Sequence, residues 1–149
     1  MFSQEALVSM ADSTFKNINL LHRGDMILNK FKKPTKVLNV YTHTNQQCVR
    51  VQLDNGTNTF YTSPNSIVLC HFRLPNNTIQ SEYCHISHVH ENKGYVKTDL
   101  KLFSPDSDVL LESYIDTTET HTLYSLQTSD NSQSYLLNHI IVSNKPSHY

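Results

Sequence analysis

The stretch CHISHVH (84–90) sets a thiol and two imidazoles, Cys84, His88 and His90, at even spacing. On an extended strand the three share one face, and sulfur with two imidazole nitrogens is a donor set that zinc accepts. Distance argues against it. At ~3.3 Å per residue Cys84 and His90 lie about 20 Å apart, so one ion reaches both only if the backbone bends. His88 and His90 alone are spaced as a pair, with Cys70 or His71 as a conceivable further partner; the commoner origin of such a run is a half-exposed strand in a histidine-rich chain. The reading adopted is no metal and no cofactor. Four lysines in LNKFKKPTK (28–36) surround Pro34 without the interleaved arginines and aromatics of a nucleic-acid surface, and fit a solvated hairpin tip. Asn55-Gly56 is open to deamidation, which is ageing rather than function. With 3 glycines in 149 residues a phosphate-cradling loop is not expected, and no Ser-His-Asp order or paired-carboxylate motif stands out.

The elements that must position any such groups are short. Apolar runs rich in β-branched residues are split by Pro, Asn, Asp and Ser, and helical periodicity is scarce. Residues 36–44 and 48–53 read as strands, with Val49, Val51 and Leu53 alternating onto one face. DNGT (54–57) reads as a hairpin turn, 58–63 as the return strand and 66–72 as a further strand, while KPT (33–35) turns another hairpin. A single helical turn is expected within 17–25, stopped by Gly24. In the second half, 83–90, 94–103, 121–128 and 134–143 read as strands, and 104–119, more acidic and punctuated, as a loop or variable insertion.

Length and charge bound the rest. A chain of 149 residues builds one core. A net charge of -1 with a pI near 6.7 gives no reason to expect a nucleic-acid or anionic-membrane partner. No apolar run approaches the ~20 residues of a membrane span and no leader opens the chain. Three cysteines, Cys48, Cys70 and Cys84, cannot all pair with one another, so a reduced, cytoplasmic setting is the default.

Three stretches in order resemble the Hint superfamily, the self-processing domains of inteins and hedgehog proteins. MFSQEALVSMADSTFKNINLLHRGDMIL (1–28) is similar to the opening of an intein, VQLDNGTNTFYTSPNSIVL (51–69) to the hairpin that enters the family's Thr-x-x-His motif, and LYSLQTSDNSQSYLLNHIIVSN (123–144) to the closing strands that end in His-Asn. The resemblance implies an all-β, horseshoe-shaped Hint fold over 1–149. It divides the chain into an N-terminal splicing region (1–71), a variable middle too short for an endonuclease (72–122), a C-terminal splicing region (123–144) and a downstream tail (145–149).

The family's chemistry also defines what is missing. Splicing begins when a Cys or Ser at the first position attacks the preceding carbonyl, aided by proton transfer from the motif histidine. It ends when the last Asn cyclises onto its own carbonyl, aided by the His before it, after a downstream Cys, Ser or Thr has taken the acyl group. Here the first position is Met1, a thioether with no nucleophilic proton donor. The Thr-x-x-His motif reads Ser63-Pro64-Asn65-Ser66, the usual aspartate of the first closing strand is Ser125, the penultimate histidine is Ser143, and the downstream residue is Lys145. A serine hydroxyl titrates far above neutrality, whereas histidine exchanges a proton near pH 7, and each missing acid–base group costs on the order of 10²–10⁴ in rate.

Only Asn144 is retained. His139, four residues and about 13 Å along a strand from Ser143, is a poor substitute, and His121 could approach only from a neighbouring strand. The resemblance therefore implies a degenerate self-processing domain acting at most on its own flanking polypeptide by slow cyclisation at Asn144. The competing expectation is a non-catalytic module that holds a peptide or protein partner in the same cleft.

Overall fold

The structure, a computed structural model, describes residues 1–100 and 108–144. Among the described residues eleven strands form one open sheet, antiparallel throughout. They are β1 (Leu7–Ser9), β2 (Phe15–Asn17), β3 (Met26–Leu28), β4 (Pro34–Leu53), β5 (Phe60–Thr62), β6 (Ile67–Arg73), β7 (Ile79–His85), β8 (Tyr95–Val96), β9 (Val109–Thr128), β10 (Ser134–Leu137) and β11 (Ile140–Ser143). The order is β2-β1-β10-β11-β6-β8-β9-β4-β3, with β5 on β4 and β7 on β6. A single 3-10 turn, Ile18–Leu20, falls where one helical turn was expected, and Gly24 follows at φ 97°.

The stretches 36–44 and 48–53 are one strand rather than two. β4 runs 20 residues and pairs with β9 from Val37↔Thr128 to Leu53↔Leu111, absorbing register shifts at four places. Its buried residues cluster at both ends, Thr35 and Val37 at one and Cys48, Val49, Val51 and Leu53 at the other, so the ribbon ties two packed regions across an exposed middle. The turn before it spans 29–33 and lies ahead of Pro34: Asn29 N donates to Lys33 O, and Lys32 takes φ 57°. The expectation of a loop at 104–119 is overturned from Val109 onward, because 109–119 form the first part of β9; 104–107 lie outside the described residues. Leu123 and Leu126 of β9 are buried, and its polar residues face out along the exposed middle, which is why the run reads as acidic and irregular in sequence.

The segment 83–90 is not one strand either. β7 stops at His85 and a short helix, α1 (Ile86–Glu91), follows. Ile86 and Val89, three apart, are both fully buried, the helical spacing that the alternation of histidines masks. The first N–H groups of α1 are satisfied by the loop before β6: Ile86 N donates to Ser66 O (2.8 Å) and Ser87 N to Pro64 O (3.1 Å). Likewise 94–103 contributes only Tyr95–Val96 as strand, with 101–103 outside the described residues.

The core gathers Phe2, Val8, Ile18, Ile27, Val51, Phe60, Tyr135, Leu137, Ile140 and Val142. Between β10 and β11 the chain reverses through Asn138 (φ 48°) and His139 (φ 65°), the left-handed pair that a tight hairpin requires. Asn138 is buried and ties three segments: Oδ1 accepts from Leu7 N (2.8 Å), Nδ2 donates to Asn58 O (3.0 Å), and its carbonyl accepts from Asn55 Nδ2 (3.0 Å). Asn55 Oδ1 in turn accepts from Thr57 N (3.1 Å) and Thr57 Oγ1 (2.7 Å), while Gly56 takes φ 75°. Asn138→Ala removes two of these bonds and leaves at positive φ a residue without the polar side chain that lets asparagine adopt it; a loss of about 2–4 kcal/mol is expected. Urea titration of the variant measures it, and Asn138→Gly should recover only the conformational part.

Candidate active cleft

Residues 1–3 run as a short extended segment between β9 and β5. Phe2 N donates to Tyr124 O (2.9 Å), Tyr124 N to Phe2 O (2.7 Å), and Ser3 N to Tyr61 O (2.8 Å). The Phe2 side chain is buried edge-on against Phe60, with ring centroids 6.1 Å apart. Anchored in this way, Met1 meets the loop before β6. Its nitrogen donates to Ser66 Oγ (2.9 Å), and its carbonyl accepts from Thr62 Oγ1 (2.8 Å), Ser66 Oγ (3.0 Å) and Ser63 N (3.2 Å). Ser66 Oγ is also 2.7 Å from Thr62 Oγ1 and 2.8 Å from Ser63 Oγ. Three buried hydroxyls thus enclose the peptide unit at Met1. Burial lowers the α-amino group of Met1, when free, from 8.0 to about 5.

Asn144 follows β11. Val142 pairs with Val68 of β6. Asn144 N donates to Gln133 O (2.8 Å), as does Ser143 Oγ (3.3 Å). Both polar atoms of the Asn144 side chain are satisfied when Oδ1 accepts from Thr128 Oγ1 (2.7 Å) and Thr128 N (3.2 Å) and Nδ2 donates to Gln133 O (2.8 Å). The turn carrying Gln133, itself at φ 48°, is fixed by Asp130, which accepts from Asn29 Nδ2 (2.7 Å), Ser132 Oγ (2.7 Å) and Thr35 Oγ1 (3.0 Å). Burial pushes the Asp130 carboxyl up, but the hydrogen bonds from Ser132, Asn29, Thr35 and Thr128 outweigh it and hold the group below its ordinary value.

The ribbon closes the site. Tyr41 and His43 of β4 and Ser125, Gln127 and Thr128 of β9 line a cleft of about 670 Å³ together with Met1, Ser63, Ser66, Ser143 and Asn144. Six of the seven motif positions named from sequence thus share one cavity; Lys145 lies outside the described residues. Two groups were not foreseen. Gln133 and Thr128 hold Asn144, and His43 brings an imidazole whose Nε2 is 3.1 Å from Ser125 Oγ. No local motif marks His43; only the register of β4 on β9, Tyr41↔Ser125 and His43↔Leu123, makes it a diagonal neighbour of Ser125.

The other histidines singled out from sequence do not line this cleft. His139 occupies the β10–β11 turn rather than a strand face and packs on Phe15, with ring centroids 5.0 Å apart. His121 stacks on Tyr61 at 3.9 Å and lies 3.2 Å from Glu119. On α1, His88 packs on Phe72 and bonds Asn92, while His90 stacks on Tyr114 at 4.2 Å. His71 lies 3.0 Å from Asp108, which also pairs with Lys97 at 3.4 Å, and Cys70 Sγ is 3.2 Å from Glu82 O. Among the described residues no three His, Cys, Asp or Glu side chains come together as a metal site. No helix among them is long and apolar enough to cross a membrane.

The fold, with Met1 and Asn144 lining one cleft, is that of solved inteins. The MchDnaB-1 intein superposes with a TM-score of 0.71 at 11% identity, covering 97% of this chain and 100% of the intein. The DnaB intein from Synechocystis sp. PCC 6803 gives 0.69 at 15% identity, covering 97% and 98%. The gp41-1 intein gives 0.63 at 16% identity, covering 96% and 97%. Neither a family model nor a curated protein matches this chain by sequence.

Proposed function

We propose that this chain is a self-processing domain of the splicing type whose usual first step is closed at Met1 and whose remaining chemistry is cyclisation of Asn144, acting on its own flanking polypeptide. The observation that carries this reading is that Met1, Ser66 and Asn144 line one cleft. A thioether at the first position supplies no nucleophile, and Ser66 and Ser143 supply no proton near neutral pH, so the degeneracy lies in the side chains while the backbone frame is kept. Asn144 needs its Nδ2 freed from Gln133 O before it can attack its own carbonyl carbon; the bond from Nδ2 to that carbon then forms as the bond to residue 145 breaks. Intact mass after prolonged incubation at neutral pH tests this. The expected product lacks 145–149 and ends in a succinimide, and Asn144→Ala stops its formation. An unchanged mass over weeks removes the self-processing reading. The engagement of Nδ2 with Gln133 then favours the second reading, a cleft that holds an extended peptide without cutting it.

A further inference from the structure

We infer that the buried ion network of His71, Asp108 and Lys97 holds the end of the β10–β11 hairpin against β6, with Lys97 as a positioning residue for Asn144. The consequence for cyclisation rests on the self-processing reading; the placement itself does not. None of the three residues lines the cleft. His71 Nδ1 is 3.0 Å and Lys97 Nζ 3.4 Å from one oxygen of Asp108, and Thr98 N donates to the other at 3.4 Å. All three side chains are at most 2% exposed. Charges go to that depth only when paired, and such a pair fixes geometry more dependably than it adds stability.

The sheet gives that geometry a use. β7 occupies one edge of β6 along its whole length, so β8 and β11 share the other edge end to end. Lys97 stands in the gap between them: its N–H donates to Leu69 O (2.9 Å) and its carbonyl accepts from Ile141 N (3.0 Å). Val142↔Val68 is the one register pair of β11 on β6 among the described residues, and the Lys97 carbonyl adds a second tie. The reversal at Asn138 is fastened separately, to Leu7 and Asn58. Thr128 and Gln133 hold Asn144 from the β9 side. On the side of β6, the strand that runs on from Ser66, the backbone of Lys97 stays inserted because Asp108 keeps its ammonium inside.

Acid acts on the same network. Around His71 stand Asp108 ahead of β9, Lys97 after β8, Tyr95 of β8 stacked at 4.9 Å, Arg73 further along β6 and Ser81 opposite on β7. Burial holds the imidazole below its ordinary value against the pull of Asp108, with Lys97 and Arg73 acting in the same sense as burial. A proton on His71 sets two cations on one carboxylate. The folded state therefore resists that proton: the tie is complete above the ordinary value of 6.5 and weakens as pH falls below it.

Amide hydrogen exchange of the full chain, read by NMR as protection factors, tests this. Asp108→Asn leaves the Lys97 ammonium without its counter-charge. Protection at Ile141 is expected to fall at least about 10-fold, while the amides of Ile18 and Asn138, bonded to Ala6 and Leu7, keep theirs. Adding Lys97→Met removes the stranded charge and is expected to restore most of the protection, which a loss of packing alone would not do. In the unchanged chain, protection at Ile141 is expected to fall relative to Ile18 and Asn138 between pH 7.5 and 5.5, and to stay level in His71→Gln. This second comparison decides the matter where Asp108→Asn fails to fold. Equal losses at all three amides, a double variant no better than Asp108→Asn, or an Ile141 amide indifferent to pH overturns the proposal. Loss of 145–149, followed by intact mass on the same samples, is expected to slow about 10-fold in Asp108→Asn. A wild-type chain that keeps its tail removes the self-processing reading, while the Ile141 amide still decides this one.

Discussion

Met1→Cys combined with Ser66→His, behind a short upstream peptide, is expected to release that peptide on addition of a small thiol at least about 10²-fold faster than Met1→Cys alone. The thiol at position 1 supplies the nucleophile for an amide-to-thioester shift, but the shift stalls unless the leaving nitrogen receives a proton. Ser66 Oγ sits 2.9 Å from that nitrogen, so an imidazole grown from the same backbone position is placed to protonate it. The backbone around residue 66 is already braced by Ser63 O from within the loop and by Ile86 N from α1, at 3.0 and 2.8 Å. Space is the opposing factor, because Ser66 is 3% exposed, and trimming Met1 to Cys relieves part of it. Thiol-induced cleavage followed by mass is the readout. A double variant that keeps the wild-type thermal transition but releases nothing would show that residue 66 does not occupy the acid's position.

The second large effect is on stability. When Met1 carries a free amino group, that group binds its proton near pH 8.0 in the unfolded chain and near 5 in the folded one, because burial penalises the charged form. Above pH 8 both states hold a neutral amine and folding is unaffected. As pH falls from 8 to 5 the unfolded state alone takes up the proton, so stability is lost across that window, by up to about 4 kcal/mol. Burial also lowers His71, against the pull of Asp108, and adds a loss of the same sign at lower pH. Acetylation of the amino terminus isolates the Met1 contribution: the blocked protein should keep a urea midpoint that falls much less between pH 8.5 and 5.5. Parallel loss in the free and blocked proteins would place the amine in water.

How much of this was legible in the sequence differs element by element. The alternation of Val49, Val51 and Leu53 and the order of the three resembling stretches sufficed for an all-β frame and for six positions of the cleft, because those features are local. The helix α1 escaped because His88 and His90 imitate strand alternation, while the pair that decides the matter, Ile86 and Val89, is only two residues in a six-residue element. Of the ribbon's second strand, 121–128 was read as strand, but 109–119 was not, because its exposed part carries Asp116, Glu119 and threonines, a composition that loops share. His43 was invisible for a different reason. Its partner is 82 positions away, and only strand register, a property of the assembled sheet, brings the two together.

Asn55 carries a consequence of its own. An asparagine before glycine is prone to slow conversion to aspartate when its side chain can fold back on the following peptide nitrogen. In the native hairpin that motion is blocked: the oxygen of its amide is occupied by Thr57 and the nitrogen by the carbonyl of Asn138. The clamp exists only while β5, β10 and the loop between β4 and β5 are assembled. Each hour spent unfolded therefore leaves a lasting negative charge at residue 55, and a preparation's fraction of aspartate there is a cumulative record of how often its molecules have come apart.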